Sequence, residues 1–190
     1  MMNEIALRLA GRLFDRPLIQ NQYRSLFVEA MLEPYLARAG WRYVDDNWAG
    51  WDFQHDGTRT RLEVKQSAAW QTWDPIKVER GRPMKPGPGI FDIAPRKGWF
   101  DEYGAAWTPQ IGRPADVYVF AWNGTYGGDT DHRNPDQWEF FIVPAASLPP
   151  KPQIRIRQVR LIAAASFTEP ERSAEAVHPY MRTAEPKFAT

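Results

Sequence analysis

The chain has 190 residues, 24 Lys and Arg against 23 Asp and Glu, and a formal net charge of only +1, so bulk charge neither indicates nor excludes a nucleic-acid partner. It has no cysteine, which excludes disulfides and thiolate metal sites and suits a cytoplasmic protein. No apolar run is long enough to span a membrane and the first residues are a poor secretory signal, so we expect no membrane partner.

The first predicted element is a helix over residues 21–41. Gly40 is a plausible end for this helix. Glu29 and Glu33 lie one turn apart, and periodicity does not show whether their face meets solvent or a site. The predicted apolar face contains five residues at helical spacing: Tyr23, Phe27, Ala30, Met31 and Pro34.

Two short strand-like segments, 41–44 and 51–54, follow the helix. The sequence His55-Asp56-Gly57 is then a turn signal of the Asp-Gly type. Residues 59–65 alternate, which places Glu63 and Lys65 on one face of a strand and apolar residues on the other. The pattern predicts a β-hairpin.

A Pro- and Gly-rich insertion occupies residues 74–114, and its aromatic residues favour an ordered segment with a short helix. Residues 115–122 predict a central strand covered on both faces, and 138–144 predict another strand. Residues 154–162 alternate Arg with aliphatics and predict a half-exposed strand, followed by one helix after Glu169. These elements predict a single mixed α/β domain over 1–190, with a core at 21–145 and a strand and helix extension at 150–190.

The hairpin brings chemistry-bearing side chains to one edge of the predicted sheet. Glu63 and Lys65 are about 7 Å apart along one face. Asp52 stands eleven residues before Glu63, near the end of the partner strand. Two carboxylates in that arrangement bind hard cations such as Mg²⁺ or Mn²⁺. Lys65 would supply a compact positive charge for a phosphate or for the attacking water.

These residues resemble the PD-(D/E)XK nuclease superfamily. Asp52 matches its first acid, Glu63 its second and Lys65 its lysine, while Trp51 stands where the pattern has Pro. Gln66 matches a polar residue that follows the lysine in several branches, and Glu29 matches an additional helical acid. The resemblance covers residues 21–145 by element order, with 115–122 as the third core strand and 138–144 as the fourth. It implies the three-layer restriction endonuclease-like fold.

The resemblance also implies a function. It predicts a Mg²⁺- or Mn²⁺-dependent endonuclease that hydrolyses phosphodiesters, in DNA rather than RNA, with a metal-activated water. The implied metal ligands are Asp52, Glu63 and the backbone carbonyl of Val64, with Lys65, Gln66 and Glu29 assisting catalysis. Many members act as dimers, which makes a homodimer a prediction by resemblance. Six cations of the insertion form the predicted nucleic-acid surface: Arg80, Arg82, Lys85, Arg96, Lys97 and Arg113.

Two other interpretations stay open at this point. The same fold could serve as a non-catalytic module that binds nucleic acid or protein without a metal. Alternatively, the domain is structural or a metal-independent enzyme, with Glu63 and Lys65 as surface charges. His55 is assigned to an exposed turn, with a metal role as the alternative, and His132 to a loop, with substrate contact as the alternative. The sequence contains no Walker loop, G-x-S-x-G or H-E-x-x-H motif.

Overall fold

The computed structural model describes residues 3–44 and 49–182. Its helices, in chain order, are α1 (Glu4–Phe14), α2 (Asn21–Arg38), α3 (Asp74–Glu79), α4 (Ile156–Ile162) and α5 (Ser173–Val177). Its strands are β1 (Trp41–Tyr43), β2 (Phe53–His55), β3 (Arg61–Ala68), β4 (Ile90–Asp92), β5 (Trp99–Phe100), β6 (Trp107–Thr108), β7 (Val117–Asn123), β8 (Trp138–Pro144), β9 (Gln153–Arg155) and β10 (Ala165–Phe167). None of the helices within these residues is long and apolar enough to cross a membrane.

Six strands form one central sheet in the order β1-β2-β3-β7-β8-β10. The first three strands run antiparallel, as the predicted hairpin requires, and β7 then pairs parallel to β3. Strands β8 and β10 return antiparallel. A parallel neighbour requires a crossover, and the segment with α3 supplies it. The mixed sheet and its covering helices confirm the mixed α/β class.

Helix α2 covers one face of the sheet. Its end agrees with the prediction, since Gly40 takes a φ of +85° just after the helix. The predicted apolar face was wrong, however, because the buried stripe is Val28, Leu32 and Leu36 at four-residue spacing. These side chains pack on residues of β3, β7 and β8 that point to the same side. Ala30 and Pro34 of the predicted face are exposed.

The insertion packs on the opposite face of the sheet. It is ordered and contains the short helix α3, as the sequence predicts, and also three strands. Phe91 and Ile93 are buried there against Tyr118, Phe120 and other side chains of the second core. Strand β4 of the insertion pairs with β9, and β5 pairs with β6. The long connection therefore forms a layer of the domain rather than a surface loop.

The strand predicted over 154–162 was wrong for most of its length. Only β9 is extended, and α4 begins at Ile156. The backbone amide of Arg155 donates to Gln158 Oε1 at 3.3 Å at the start of this helix. Val159 is fully buried, whereas Leu161 is 84% exposed. Aliphatic residues at 156, 159 and 162 also fit a helical spacing, and that pattern prevails over the alternation.

Candidate functional site

Asp52 lies immediately before β2, where the β2–β3 ladder stops. Its amide donates to the carbonyl of Leu62 at 3.0 Å, which continues the ladder by one residue. Its side chain then takes the next position, because Oδ2 accepts from the amide of Val64 at 2.6 Å. Two hydrogen bonds, one from the backbone amide of Asp52 and one to its carboxylate, therefore hold this residue against β3.

Glu63 and Lys65 point to the same face of β3, as the alternation predicts. The ammonium of Lys65 donates to Glu63 Oε1 in an ion pair. The side chain of Glu63 is 14% exposed and that of Lys65 is 21% exposed, so the ion pair is largely but not completely buried. A surface pair at solvent-exposed positions would have much greater exposure, and the simple interpretation as a solvated hairpin charge pair does not fit this burial.

Glu29 reaches the same region from α2. The residue is only 7% exposed, and its Oε2 accepts from the hydroxyl of Tyr43 at 3.0 Å. Glu33, one turn later on the same helix, is exposed. The structure therefore separates two acids that the sequence pattern left equivalent, and it turns Glu29 towards the sheet.

The three carboxylates crowd one another electrostatically. Burial raises the pKa of Asp52 well above its usual value, and Glu63 and Glu29 raise it further against the opposing amide of Val64. Burial likewise raises the pKa of Glu29, while the hydrogen bond from Tyr43 lowers it. Burial lowers the pKa of Lys65, but its ion pair with Glu63 outweighs that effect, so its net pKa is raised. The charge of Lys65 thus lowers the pKa of Asp52 and Glu29 as well, although its ion pair is with Glu63.

The donor groups fit a small hard cation. The hydrogen bond to Val64 uses Oδ2 of Asp52, and the charge of Glu63 acts on the same carboxylate. The carbonyl of Val64 points to the same side of β3 as its amide, towards Asp52, as in any strand. Across residues 3–44 and 49–182, no three acidic or histidine side chains converge as a complete metal cluster. Two carboxylates and a carbonyl remain a suitable set for Mg²⁺, which keeps several waters.

A narrow cleft opens beside Glu63 and Lys65. Its volume is about 20 Å³, which is room for about one water molecule. Tyr118 on β7 lies opposite Glu63 in the strand register, and burial followed by the charge of Glu63 raises its pKa. The remaining wall comes mainly from the insertion and the segment before β7: Gly50, Asp92, Ile93, Ala94, Arg96, Arg113 and Pro114.

The structure divides the six predicted nucleic-acid-binding cations. Only Arg96 and Arg113 line the cleft. Arg113 is held by the carbonyls of Ile93 and Pro149, each at 2.7 Å, whereas Arg96 is exposed and contacts Asp92 at 3.3 Å. The other four do not line it. Arg82 and Lys85 line a separate depression beside α3, and Arg80 and Lys97 are exposed.

Gln66 lies apart from the other predicted catalytic residues. The alternation of β3 turns it to the α2 face, opposite to Glu63 and Lys65. Its Oε1 accepts from Arg24 Nε at 2.5 Å, and its amide donates to the carbonyl of Asn21 at 3.1 Å. Arg24 is fully buried. Gln66 therefore links β3 to α2. The alternation that places Glu63 and Lys65 on one face of β3 also predicts that Gln66 lies on the other face.

The two histidines considered in the sequence have structural contacts. His55 sits at the hairpin turn, with Nε2 at 3.1 Å from the carbonyl of Ala39 and Nδ1 accepting from the amide of Thr58. His132 is fully buried and bridges the amide of Ile19 and the carbonyl of Trp70, each at 3.0 Å. Sequence reasoning missed Tyr118 at the cleft, because an apolar run gives no signal of what its strand pairs with.

Family models, curated proteins and solved structures were compared with the chain. None of them matches. The function is therefore inferred from the geometry and chemistry of the site itself.

Proposed function

We propose that the protein is a metal-dependent nuclease of the PD-(D/E)XK type on a restriction endonuclease-like fold. The order of elements supports the proposal: α2 precedes the β1-β2-β3 meander, and β7 follows in parallel beside β3. The three residues that carry the resemblance, Asp52, Glu63 and Lys65, stand together at the edge of that meander. We infer hydrolysis of phosphodiester bonds, in DNA rather than RNA.

The observation that carries the proposal is the imbalance of charge at this edge. The charges of Glu63 and Glu29 both act on Asp52, Lys65 is ion-paired with Glu63, and the four side chains are largely withdrawn from water. Crowded carboxylates that serve only the fold cost stability, since each charge loses hydration. A divalent cation would offset both the repulsion and the desolvation. The cluster is thus arranged for a ligand of the opposite charge.

Each residue has a distinct role in the proposed reaction. Asp52, Glu63 and the carbonyl of Val64 hold the cation, and the amide of Val64 fixes the orientation of Asp52. When bound, Mg²⁺ lowers the pKa of a ligated water and screens charge on the phosphate. Lys65 leaves Glu63 to contact the attacking water or the phosphate. Glu29, positioned by Tyr43, adjusts the field at Asp52 from the helix side.

The substrate would approach along the outer rim of the cleft. Arg96 is exposed there, and its contact with Asp92 is weak because both side chains are about half exposed. Its guanidinium is free to turn to a phosphate, a contact that positions a strand without reading its sequence. Arg113 instead holds the wall by its bonds to backbone carbonyls. The charged rim thus favours a backbone-directed mode of binding.

Cleavage of supercoiled and single-stranded DNA by the purified protein tests the proposal. The assays contain Mg²⁺, Mn²⁺ or EDTA, and they compare wild type with Glu63→Gln and Lys65→Met. The matched control is Glu139→Gln on β8, which removes an exposed ion pair with Arg160 from the same sheet. We expect metal-dependent nicking by wild type and by the control, and its loss in both site variants.

Two outcomes contradict the proposal. Equal cleavage by wild type and Glu63→Gln would mean that the activity belongs to another protein in the preparation. Folded wild type that neither cleaves DNA nor is stabilised by Mg²⁺ or Mn²⁺ would indicate a binding module instead. In that case, DNA affinity would be measured in EDTA. Equal affinities of wild type and Glu63→Gln would show that the module binds DNA without the carboxylate of Glu63.

A further inference from the structure

A larger pocket lies outside the candidate nuclease site. Its volume is about 450 Å³, within the range of small-molecule sites. It is enclosed by the end of α1, the start of α2, the segment after β3 and the Gly127–Gly128 turn. Nothing in the proposed cleavage reaction uses it.

Two arginines supply positive charge to this pocket. Arg12 and Arg16 both line it, at the end of α1 and just after it. Within residues 3–44 and 49–182, neither guanidinium has an acidic group within ion-pair distance, unlike Arg8 on the same helix, which pairs with Glu4. Unpaired guanidiniums with a fixed fork of donors match a phosphate group.

The first turn of α2 adds to the same field. Gln20, at the N-cap, and Tyr23 line the pocket, and no side chain caps the helix there. The side chain of Asn21 is occupied elsewhere, because its Oδ1 accepts from Arg24 at 2.8 Å. The start of this 18-residue helix therefore forms part of the pocket wall and adds its partial positive charge there.

Thr130 gives an independent indication of a ligand. The residue is only 3% exposed and lines the pocket, yet its buried hydroxyl has no hydrogen-bond partner within the described part of the chain. A buried hydroxyl left without a partner costs free energy, so such groups are rare unless a ligand or an ordered water completes them. Gly127, at a φ of +95°, shapes the adjoining turn.

The pocket is held in shape by one buried imidazole. His132 donates and accepts between the amide of Ile19 and the carbonyl of Trp70, and its own amide donates to the carbonyl of Pro17 at 2.8 Å. These three hydrogen bonds join the loop at His132 to the segment before α2 and to the segment after β3. Preorganised walls lower the cost of binding, because little has to be ordered when the ligand arrives.

We propose that this pocket binds a nucleotide phosphate. Arg12, Arg16 and the start of α2 hold a phosphomonoester, whose charge near −2 matches the two guanidiniums. Thr130 donates its hydroxyl to the ligand. The nucleobase lies on the apolar wall, which is formed by Leu13, Leu18, Trp70 and Pro75. The ligand is either a free mononucleotide or the phosphorylated end of a strand, since both present the same group.

Calorimetric titration of the full chain in EDTA tests the proposal without any cleavage. The probes are a deoxynucleoside 5′-monophosphate, its unphosphorylated nucleoside, and a short oligonucleotide with or without a 5′-phosphate. We expect the monophosphate to bind at least about tenfold tighter than the nucleoside, because charged hydrogen bonds are strong. Preference for the phosphorylated oligonucleotide would assign the strand end, and binding of the mononucleotide alone would assign the free nucleotide.

Two variants make the result specific to the pocket. Arg12→Gln combined with Arg16→Gln should weaken the monophosphate at least about tenfold, whereas Arg8→Gln, one turn away on α1, should leave its affinity unchanged. Thr130→Val keeps the shape, so it should weaken binding while the apo protein stays equally or more stable. Equal affinities for monophosphate and nucleoside, or full affinity in the Arg12/Arg16 variant, would overturn the proposal. Neither result depends on nuclease activity.

Discussion

The carboxylate of Asp52 accepts a hydrogen bond from the amide of Val64 at 2.6 Å. In a longer β2, a backbone carbonyl would accept this hydrogen bond. A side-chain oxygen thus replaces a backbone acceptor beside β3, which lies inside the sheet between β2 and β7. The consequence is that β2 begins only at Phe53, and a carboxylate rather than a peptide group lies beside Val64 of β3. The short strand and the candidate metal site are one feature.

Asp52→Asn separates the structural from the functional part of this contact. The amide oxygen of Asn can still accept from Val64, and one charge leaves a crowded set of carboxylates. In the absence of metal, we expect the free energy of unfolding of Asp52→Asn to equal that of wild type or to exceed it by about 1 kcal/mol. Cleavage should fall about 100-fold or more, because a ligand that stabilises transition-state charge is lost.

Thermal denaturation with and without Mg²⁺ checks this expectation. The wild type should gain about 2.7 kcal/mol when free Mg²⁺ is 100 times its dissociation constant, and Asp52→Asn should gain much less. Asp136→Asn, a change at an exposed acid, is the control and should behave as wild type. If Mg²⁺ stabilises Asp52→Asn as strongly as wild type, the metal is held elsewhere.

Lys65→Met tests whether the lysine competes with the metal for Glu63. In the structure the ammonium occupies one oxygen of that carboxylate. Its removal should therefore strengthen Mn²⁺ binding measured by calorimetry, since a competing cation is gone. Cleavage should nevertheless fall about 100-fold, because a charge that stabilises the transition state is also gone. Weaker Mn²⁺ binding in this variant would contradict the proposed division of roles.

Glu29→Gln measures the contribution of the helix acid. The glutamine can still accept from Tyr43, so the packing of α2 should persist and the free energy of unfolding should not fall. We expect cleavage to decrease about tenfold, as for residues that support metal ligands from outside. Glu33→Gln lies one turn away at an exposed position and is the matched control. Equal rates for both variants would remove Glu29 from the site.

Local patterns predicted the mixed α/β class and the shared face of Glu63 and Lys65. The alternation of β3 placed Glu63 and Lys65 together, and the apolar run before Trp122 predicted a central strand, because both signals reside within one element. The same alternation, applied one residue further, separates Gln66 from them. Contacts with distant partners could not be predicted in this way: Gln66 binds Arg24, which is 42 residues earlier in the chain.

The insertion shows the same limit on a larger scale. Its composition predicts six cations near a site, but which of them reach the cleft depends on how β4 pairs with β9, whose residues are 61 to 65 positions later in the chain. That pairing brings Arg96 and Arg113 to the cleft wall and leaves Arg82 and Lys85 beside α3. Composition carries no information on such long-range pairing, so charge clustering in sequence did not become clustering in space.

His132 should make the stability of the protein depend on pH. Burial, followed by the charge of Arg24, lowers its pKa from 6.5 to about 4, although Asp131 and two backbone hydrogen bonds oppose the shift. The folded state therefore resists a proton that the unfolded state accepts. The neutral imidazole therefore makes its full contribution to the free energy of unfolding above pH 6.5, and this contribution is lost as pH falls from 6.5 through 4. At its limit the loss is about 3 kcal/mol.

Urea unfolding at a series of pH values from 4 to 8 measures this effect. His132→Asn lowers stability at pH 8, since hydrogen bonds to Ile19 and Trp70 are lost, but its stability should fall less steeply below pH 6.5 than that of wild type. His178→Asn, at an exposed position, should keep the wild-type slope and controls for histidine number. The same slope in His132→Asn and wild type would show that His132 takes up its proton equally in both states. The pocket wall would then not rest on a neutral imidazole.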